Sequence, residues 1–213
     1  MAMKATYSIG ETVEMGLDEA GRGCFWGPLF AGAVIWPPED DWTDEHREIA
    51  PQINDSKKIS EKKRNYVAGA IRELAVDWGV GSVYPSEIDE KGMTWANREA
   101  FKRAKAACLT AGLEPELLLI DGVLGLPDEA VAQECIPGGD ALYIPIAAAS
   151  ILAKVGRDTW VTGWCTQSET NREIAARYDL LSNKGYGTAK HREGLKLHGC
   201  HAMHREQFIR NWI

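Results

Sequence analysis

The sequence predicts an α/β fold: a mixed central sheet flanked by helices, followed by a small C-terminal helical portion. Three observations carry this. Short strand-like runs alternate with amphipathic helical segments over most of the chain. One run, Leu117-Leu118-Leu119-Ile120, is continuously apolar, as a strand covered on both faces is. Beyond about Gln167 only helical patches remain, broken by Asn183, Gly185, Gly187 and Gly199. The 213 residues are 45% apolar and 26% charged, values of one globular domain that exclude a wholly disordered chain.

The elements follow in order. Thr12–Asp18 and Leu29–Trp36 read as strands joined through Gly21-Arg22-Gly23 and Gly27-Pro28, and Trp36-Pro37-Pro38 ends the second. Ser60 is a candidate N-cap for a helix with Val67, Ala70, Ile71, Leu74, Ala75 and Trp78 at helical spacing. Val80–Tyr84 is a short strand candidate. Trp95–Ala111 reads as a helix carrying Ala96, Ala100, Phe101, Ala104 and Cys108 on one face, and Gly112 stops it. Leu142–Ile146 reads as a strand and Ala148–Trp164 as a helix. Residues 1–166 are expected to form the α/β domain and 167–213 a small helical portion.

The longest apolar stretch, Ala141–Ala153, contains Pro145 and Ser150 and is shorter than the ~18 residues of a membrane span. The N-terminus has no apolar segment of the secretory kind. Five cysteines occur without a C-x-x-C pair, which fits reduced thiols in a cytoplasmic protein. The net charge of −7 argues against a nucleic-acid partner, but its distribution does not. Lys57–Arg64 holds five basic residues and one acidic; Lys184–Arg210 holds six and two, with four histidines besides. Glu39–Glu48 concentrates six acidic residues. Either basic run is also what a solvated helix face looks like.

Four carboxylates stand where α/β sheets bind ligands: Asp18 and Glu19 at one strand end, Asp121 at another, Asp140 after Gly138-Gly139. Clustered carboxylates repel, and hard oxygen donors suit Mg²⁺ or Mn²⁺. A pair of such ions can activate water and stabilise a leaving alkoxide in phosphodiester hydrolysis. An aspartate at a strand end is also an ordinary turn former. Paired glycines in Gly21-Arg22-Gly23 permit close backbone approach by a ligand, or simply a tight turn. Tyr186, between Gly185 and Gly187, can stack on a sugar or base, or anchor its loop.

These segments together resemble ribonuclease HII (type 2 ribonuclease H). The resemblance rests on Gly16-Leu17-Asp18-Glu19-Ala20-Gly21-Arg22-Gly23 with Gly27-Pro28, and on Asp55-Ser56-Lys57-Lys58-Ile59-Ser60-Glu61-Lys62-Lys63-Arg64. It extends through Ile120-Asp121-Gly122, Gly139-Asp140, Ala149–Val155 with Arg157-Asp158, and Lys184-Gly185-Tyr186-Gly187-Thr188, all in the family's order. It implies a ribonuclease H-like fold and cleavage of the RNA strand of RNA–DNA hybrids. It also implies incision 5′ to single ribonucleotides in duplex DNA, leaving 3′-hydroxyl and 5′-phosphate ends. Asp18, Glu19, Asp121 and Asp140 would hold two Mg²⁺ or Mn²⁺ ions. Gly21, Arg22, Gly23 and Tyr186 would sense the 2′-hydroxyl, and Lys57, Lys58, Ser150, Lys154 and Lys184 would contact the substrate. Cys24-Phe25-Trp26 departs from the family's smaller run, and Gly138 stands where a lysine is common. A monomer without a sliding-clamp-binding motif is expected.

Overall fold

Glu14–Ala20 forms β1, the centre of the sheet. Its alternating side chains face two different layers. Met15 and Leu17 enter one apolar core, while Gly16 and Asp18 turn to the opposite face. β2 (Leu29–Ile35) pairs antiparallel with β1 across the glycine-rich turn. The computed structural model describes residues 3–8, 10–54, 56, 59–109 and 112–213.

After β2 the acidic segment forms a 3-10 turn, Glu39–Asp41, and α1 (Asp44–Ile49), capped by Thr43. Ser60 caps α2 (Glu61–Leu74), as its sequence predicts, by accepting from the Lys63 amide. α2 stops at Leu74, earlier than the apolar spacing implies. Trp78 belongs to β3 (Asp77–Val83), whose residues are alternately buried and half-buried and all pair with β2. Strand pairing overrides the helical pattern there. Pro85 opens α3 (Pro85–Lys91), and α4 (Met93–Cys108) follows, crossing one face of the sheet.

β4 (Leu117–Asp121) lies parallel to β1, and β5 (Ala132–Ile136) lies parallel to β4 at the edge. The order is β3-β2-β1-β4-β5. β5 went unread in the sequence because its residues are mostly exposed or half-buried and show no apolar alternation. A 3-10 turn, Gly139–Ala141, leads into α5 (Ile144–Thr166). The strand expected over Leu142–Ile146 is therefore corrected to the start of a helix. Pro145 stands in its first turn, where its missing N–H costs nothing. The run looks continuous because α5 is buried on nearly all sides, and apolar runs alone do not separate strand from helix.

α5 runs alongside β1 at close range. A Cβ at Gly16 would overlap the Pro145 backbone, and one at Gly32 would overlap the Ala149 carbonyl. Further along, α6 (Glu169–Arg177), α7 (Leu180–Asn183), α8 (Ala189–His198) and α9 (Glu206–Ile209) complete the chain. They bury Ala175, Tyr178, Leu180, Leu195 and Ile209 against Trp26, Val161 and Cys165. Among the described residues, no helix is long and apolar enough to cross a membrane.

Candidate active site

Asp18 and Glu19 are adjacent on β1 and so point to opposite sides of the sheet. Asp18 turns toward α5, where it hydrogen-bonds with the Ser150 hydroxyl. Glu19 turns toward α4, where it hydrogen-bonds with the Asn97 side chain. Asp121 ends β4. Because Leu17 aligns with Ile120, the next residue on each strand brings Asp121 beside Asp18 on the same face. Burial raises the Asp18 carboxyl well above its ordinary range, and the charges of Glu19 and Asp121 add to this. Glu19 is raised chiefly by burial and further by Asp121, against a loose ion pair to Arg22 at 3.8 Å. Three carboxylates thus press on one another with little cationic compensation. Asp140 sits in the 3-10 turn that packs against β4, beyond Ile136, the strand partner of Asp121.

This set fits divalent metal. Asp121 Oδ1 is buried and, among the described residues, has no hydrogen-bond partner. Among the described residues, no three carboxylate, imidazole or thiol groups close around one point. The donors present are hard carboxylate oxygens, the kind Mg²⁺ takes beside several waters and substrate phosphate.

The turn beside the carboxylates is held from inside. The Cys24 amide donates to the Gly21 carbonyl at 3.2 Å. Arg205, wholly buried, donates through Nη1 to the carbonyls of Gly21 (2.8 Å) and Arg22 (3.0 Å), and through Nε and Nη2 to that of Gly27. In a trans peptide the N–H points opposite to the C=O. With both carbonyls drawn inward, the amides of Arg22 and Gly23 are aimed outward. Gly23 has open space around it. Gly21 must be glycine: its φ is +85°, and a Cβ would strike the Arg157 guanidinium.

Arg157 joins this turn to the Tyr186 loop. It is also wholly buried and donates to Pro28 O (3.1 Å), Trp26 O (3.0 Å) and Lys184 O (2.7 Å). Its guanidinium and the Lys154 ammonium lie over the Tyr186 ring, at 5.7 and 5.3 Å from the centroid. Cys24 and Tyr186 form a backbone bridge and their side chains hydrogen-bond. Burial, with Cys24 beside it, pushes the Tyr186 hydroxyl up to about 12.

The remaining expected contacts fall in different places. Ser150 is buried between Asp18 and Ser56 Oγ, 3.1 Å away, so its hydroxyl acts on the carboxylate. Lys154 is paired with Asp158 at 2.8 Å. Lys184 donates to Thr162 Oγ1 and Leu181 O, leaving one of its three donors. Lys57 and Lys58 lie outside the described residues.

Sequence reading missed Asn97, Arg205 and the role of Arg157. Asn97 shares the apolar face of α4 with Ala96, Ala100 and Phe101, and a buried polar residue on such a face was its one available signal. Asn97→Ala is expected to lower cleavage about 10–100-fold, as loss of a group orienting a metal-site carboxylate does. Steady-state kinetics across a metal titration would check this. An unchanged metal dependence would remove Asn97 from the site.

Comparisons with known proteins bear on the family and the fold. The Ribonuclease HII family profile matches residues 15–211. A ribonuclease HII from Parabacteroides distasonis is 41% identical over 196 residues, covering 92% of this chain and 89% of that protein. One from Dehalococcoides mccartyi is 43% identical over 195 residues, covering 91% and 84%. The crystal structure of ribonuclease H2 from Pyrococcus horikoshii superposes with a TM-score of 0.69 at 23% identity, covering 93% of this chain and 96% of that one. Structural likeness at that identity speaks for the fold alone. The sequence match runs nearly end to end and takes in both strand-end carboxylates and the glycine turn, so the chain belongs to the ribonuclease HII family of metal-dependent endoribonucleases.

Proposed function

We propose that this enzyme cleaves the RNA strand of RNA–DNA hybrids and also incises duplex DNA 5′ to a single ribonucleotide, leaving 3′-hydroxyl and 5′-phosphate ends. The observation that carries this reading is the juxtaposition of Asp18 and Asp121 with a turn whose amides face outward. Asp18, Glu19, Asp121 and Asp140 would hold two Mg²⁺ or Mn²⁺ ions. A related structure, a ribonuclease HIII with TM-score 0.61, was solved in complex with Mn²⁺. When bound, such ions lower the pKa of water and stabilise the departing oxygen.

The chain's own groups do the rest. Ser150 and Asn97 fix the two β1 carboxylates on their respective faces. The 2′-hydroxyl is what separates ribose from deoxyribose locally. Its oxygen would accept from the Arg22 and Gly23 amides, while Tyr186 packs against the neighbouring sugar. Deoxyribose would leave these groups unpaired, which is how a polar site rejects an analogue. Residues 1–166 would supply the catalysis and 167–213 the substrate-binding portion, with Lys154, Lys184, Lys57 and Lys58 near phosphates.

A labelled duplex with one ribonucleotide, incubated with Mg²⁺, Mn²⁺ or EDTA beside an all-DNA control, tests this. One metal-dependent cut 5′ to the ribonucleotide is expected. Cutting of the all-DNA duplex would overturn the substrate assignment. Cleavage of a long hybrid alone would remove the roles given to Gly21, Arg22, Gly23 and Tyr186.

A further inference from the structure

We propose that His204 and His191 form a neutral, directional hydrogen-bond relay that sets the position of Tyr186, making both histidines positioning residues for ribonucleotide discrimination. The inference rests on the reading of Tyr186 as the residue at the RNA–DNA junction.

Both rings are buried, and their Nε2 atoms lie 3.0 Å apart. One nitrogen must carry a proton and the other must not. His204 Nδ1 faces the His201 amide at 2.8 Å, which donates to it. The His201 carbonyl is farther, at 3.2 Å, and already accepts from the His204 amide. His204 therefore keeps its proton on Nε2 and donates to His191 Nε2. That leaves the His191 proton on Nδ1, 3.0 Å from the Tyr186 carbonyl oxygen, to which it donates. Reversing the direction would set the His201 N–H against a His204 N–H.

The relay is anchored at its far end to the first glycine turn. His204 bridges Trp26, the Arg205 amide donates to Phe25 O, and the Gly27 amide donates to Met203 O. It thereby ties both parts of the proposed ribose sensor together, from the β1–β2 turn to the Tyr186 loop.

The surroundings keep both rings neutral. Tyr178 packs on both, with centroids 5.8 and 4.6 Å away, and Phe25 packs edge-on to His191. Asp179 faces His191, and His201, itself beside Arg177, faces His204. Burial lowers His191, and burial with the His191 neighbour lowers His204 to about 3. Histidines neutral in the fold and charged in the unfolded chain contribute stability above their ordinary value, and this is lost as pH falls toward their folded values.

Three variants and one spectrum test the proposal. His191→Ala removes the donor. His191→Asn places an amide N–H where Nδ1–H was. On the single-ribonucleotide duplex, His191→Ala is expected to lower kcat about 10–100-fold with KM little changed, as small misplacements do. His191→Asn is expected to restore kcat to within a few-fold. Two-dimensional ¹H–¹⁵N spectra of the imidazoles at pH 7 should show His204 protonated on Nε2 and His191 on Nδ1. The opposite tautomers, or wild-type kcat in His191→Ala, would overturn the relay. Equal loss in His191→Asn and His191→Ala would reduce it to packing. Tyr186→Ala separates the two readings. If that variant keeps wild-type discrimination, the role of Tyr186 falls and the spectra still decide the relay. If it loses discrimination and His191→Ala does not, the relay alone falls.

Discussion

Asp18→Asn is expected to abolish cleavage and at the same time make the metal-free protein harder to unfold. Both effects come from one placement. Asp18 is buried, and its carboxyl is raised by burial and by the charges of Glu19 and Asp121. The Ser150 hydroxyl and the Glu19 amide offset the cost of the ion only in part, and a bound cation would offset the rest. Asparagine keeps the shape and removes the charge. A metal site supplies several kcal/mol to the transition state, so loss of a ligand lowers the rate at least about a thousandfold. Stability should rise by about 1–2 kcal/mol, or roughly 2–8 °C for a chain of this length.

The pH dependence carries the sign. A carboxyl raised in the fold contributes stability below its unfolded value, and loses it as pH rises through the folded one. The advantage of the variant should therefore be small near pH 4 and grow toward pH 7. Thermal unfolding in EDTA at several pH values measures it. An Asn variant no more stable than its parent at pH 7 would mean that the carboxylates do not strain the fold. The buried His191 and His204 act in the opposite sense, weakening the parent and the variant alike in acid.

What the sequence disclosed was local. Short apolar runs and glycine placement were enough to read β1, β2, β4 and the turn between the first two strands. The strand-end positions of Asp18, Glu19 and Asp121 followed from the same signals. What it hid was non-local. Arg157 sits on a helix where a charge reads as solvated surface, yet its bonds reach Trp26 and Pro28, about 130 residues earlier in the chain. Lys184 reads as a free cation in a glycine loop. Its left-handed backbone and its bonds to Thr162 and Leu181 arise from tertiary contacts that no local pattern encodes. The same holds for β5, an edge strand defined by its neighbour β4 rather than by its composition.

Arg205 gives the largest expected effect on stability, and it connects stability to specificity. Its wholly buried guanidinium donates to the carbonyls of Gly21, Arg22 and Gly27. Burial lowers its pKa to about 10, so it remains charged at pH 7. Arg205→Met strips the Gly27 carbonyl of both its donors, leaves the Gly21 carbonyl only the Cys24 amide and buries no charge in exchange, at a cost of about 3–5 kcal/mol. For a chain of this length the melting temperature should fall by roughly 6–20 °C. Arg205→Lys retains charge but lacks the planar fork that spans neighbouring carbonyls, and should fall between the two. The turn would also lose its orientation. Once the Gly21 and Arg22 carbonyls are free to rotate, the amides of Arg22 and Gly23 no longer point reliably outward. Preference for a ribonucleotide over all-DNA substrate should then drop more than cleavage of a long hybrid, measured below the unfolding transition. A variant with the parent's urea midpoint would show that the turn holds itself. One destabilised as expected but with unchanged preference would show that Arg205 supports the fold without aiming the amides.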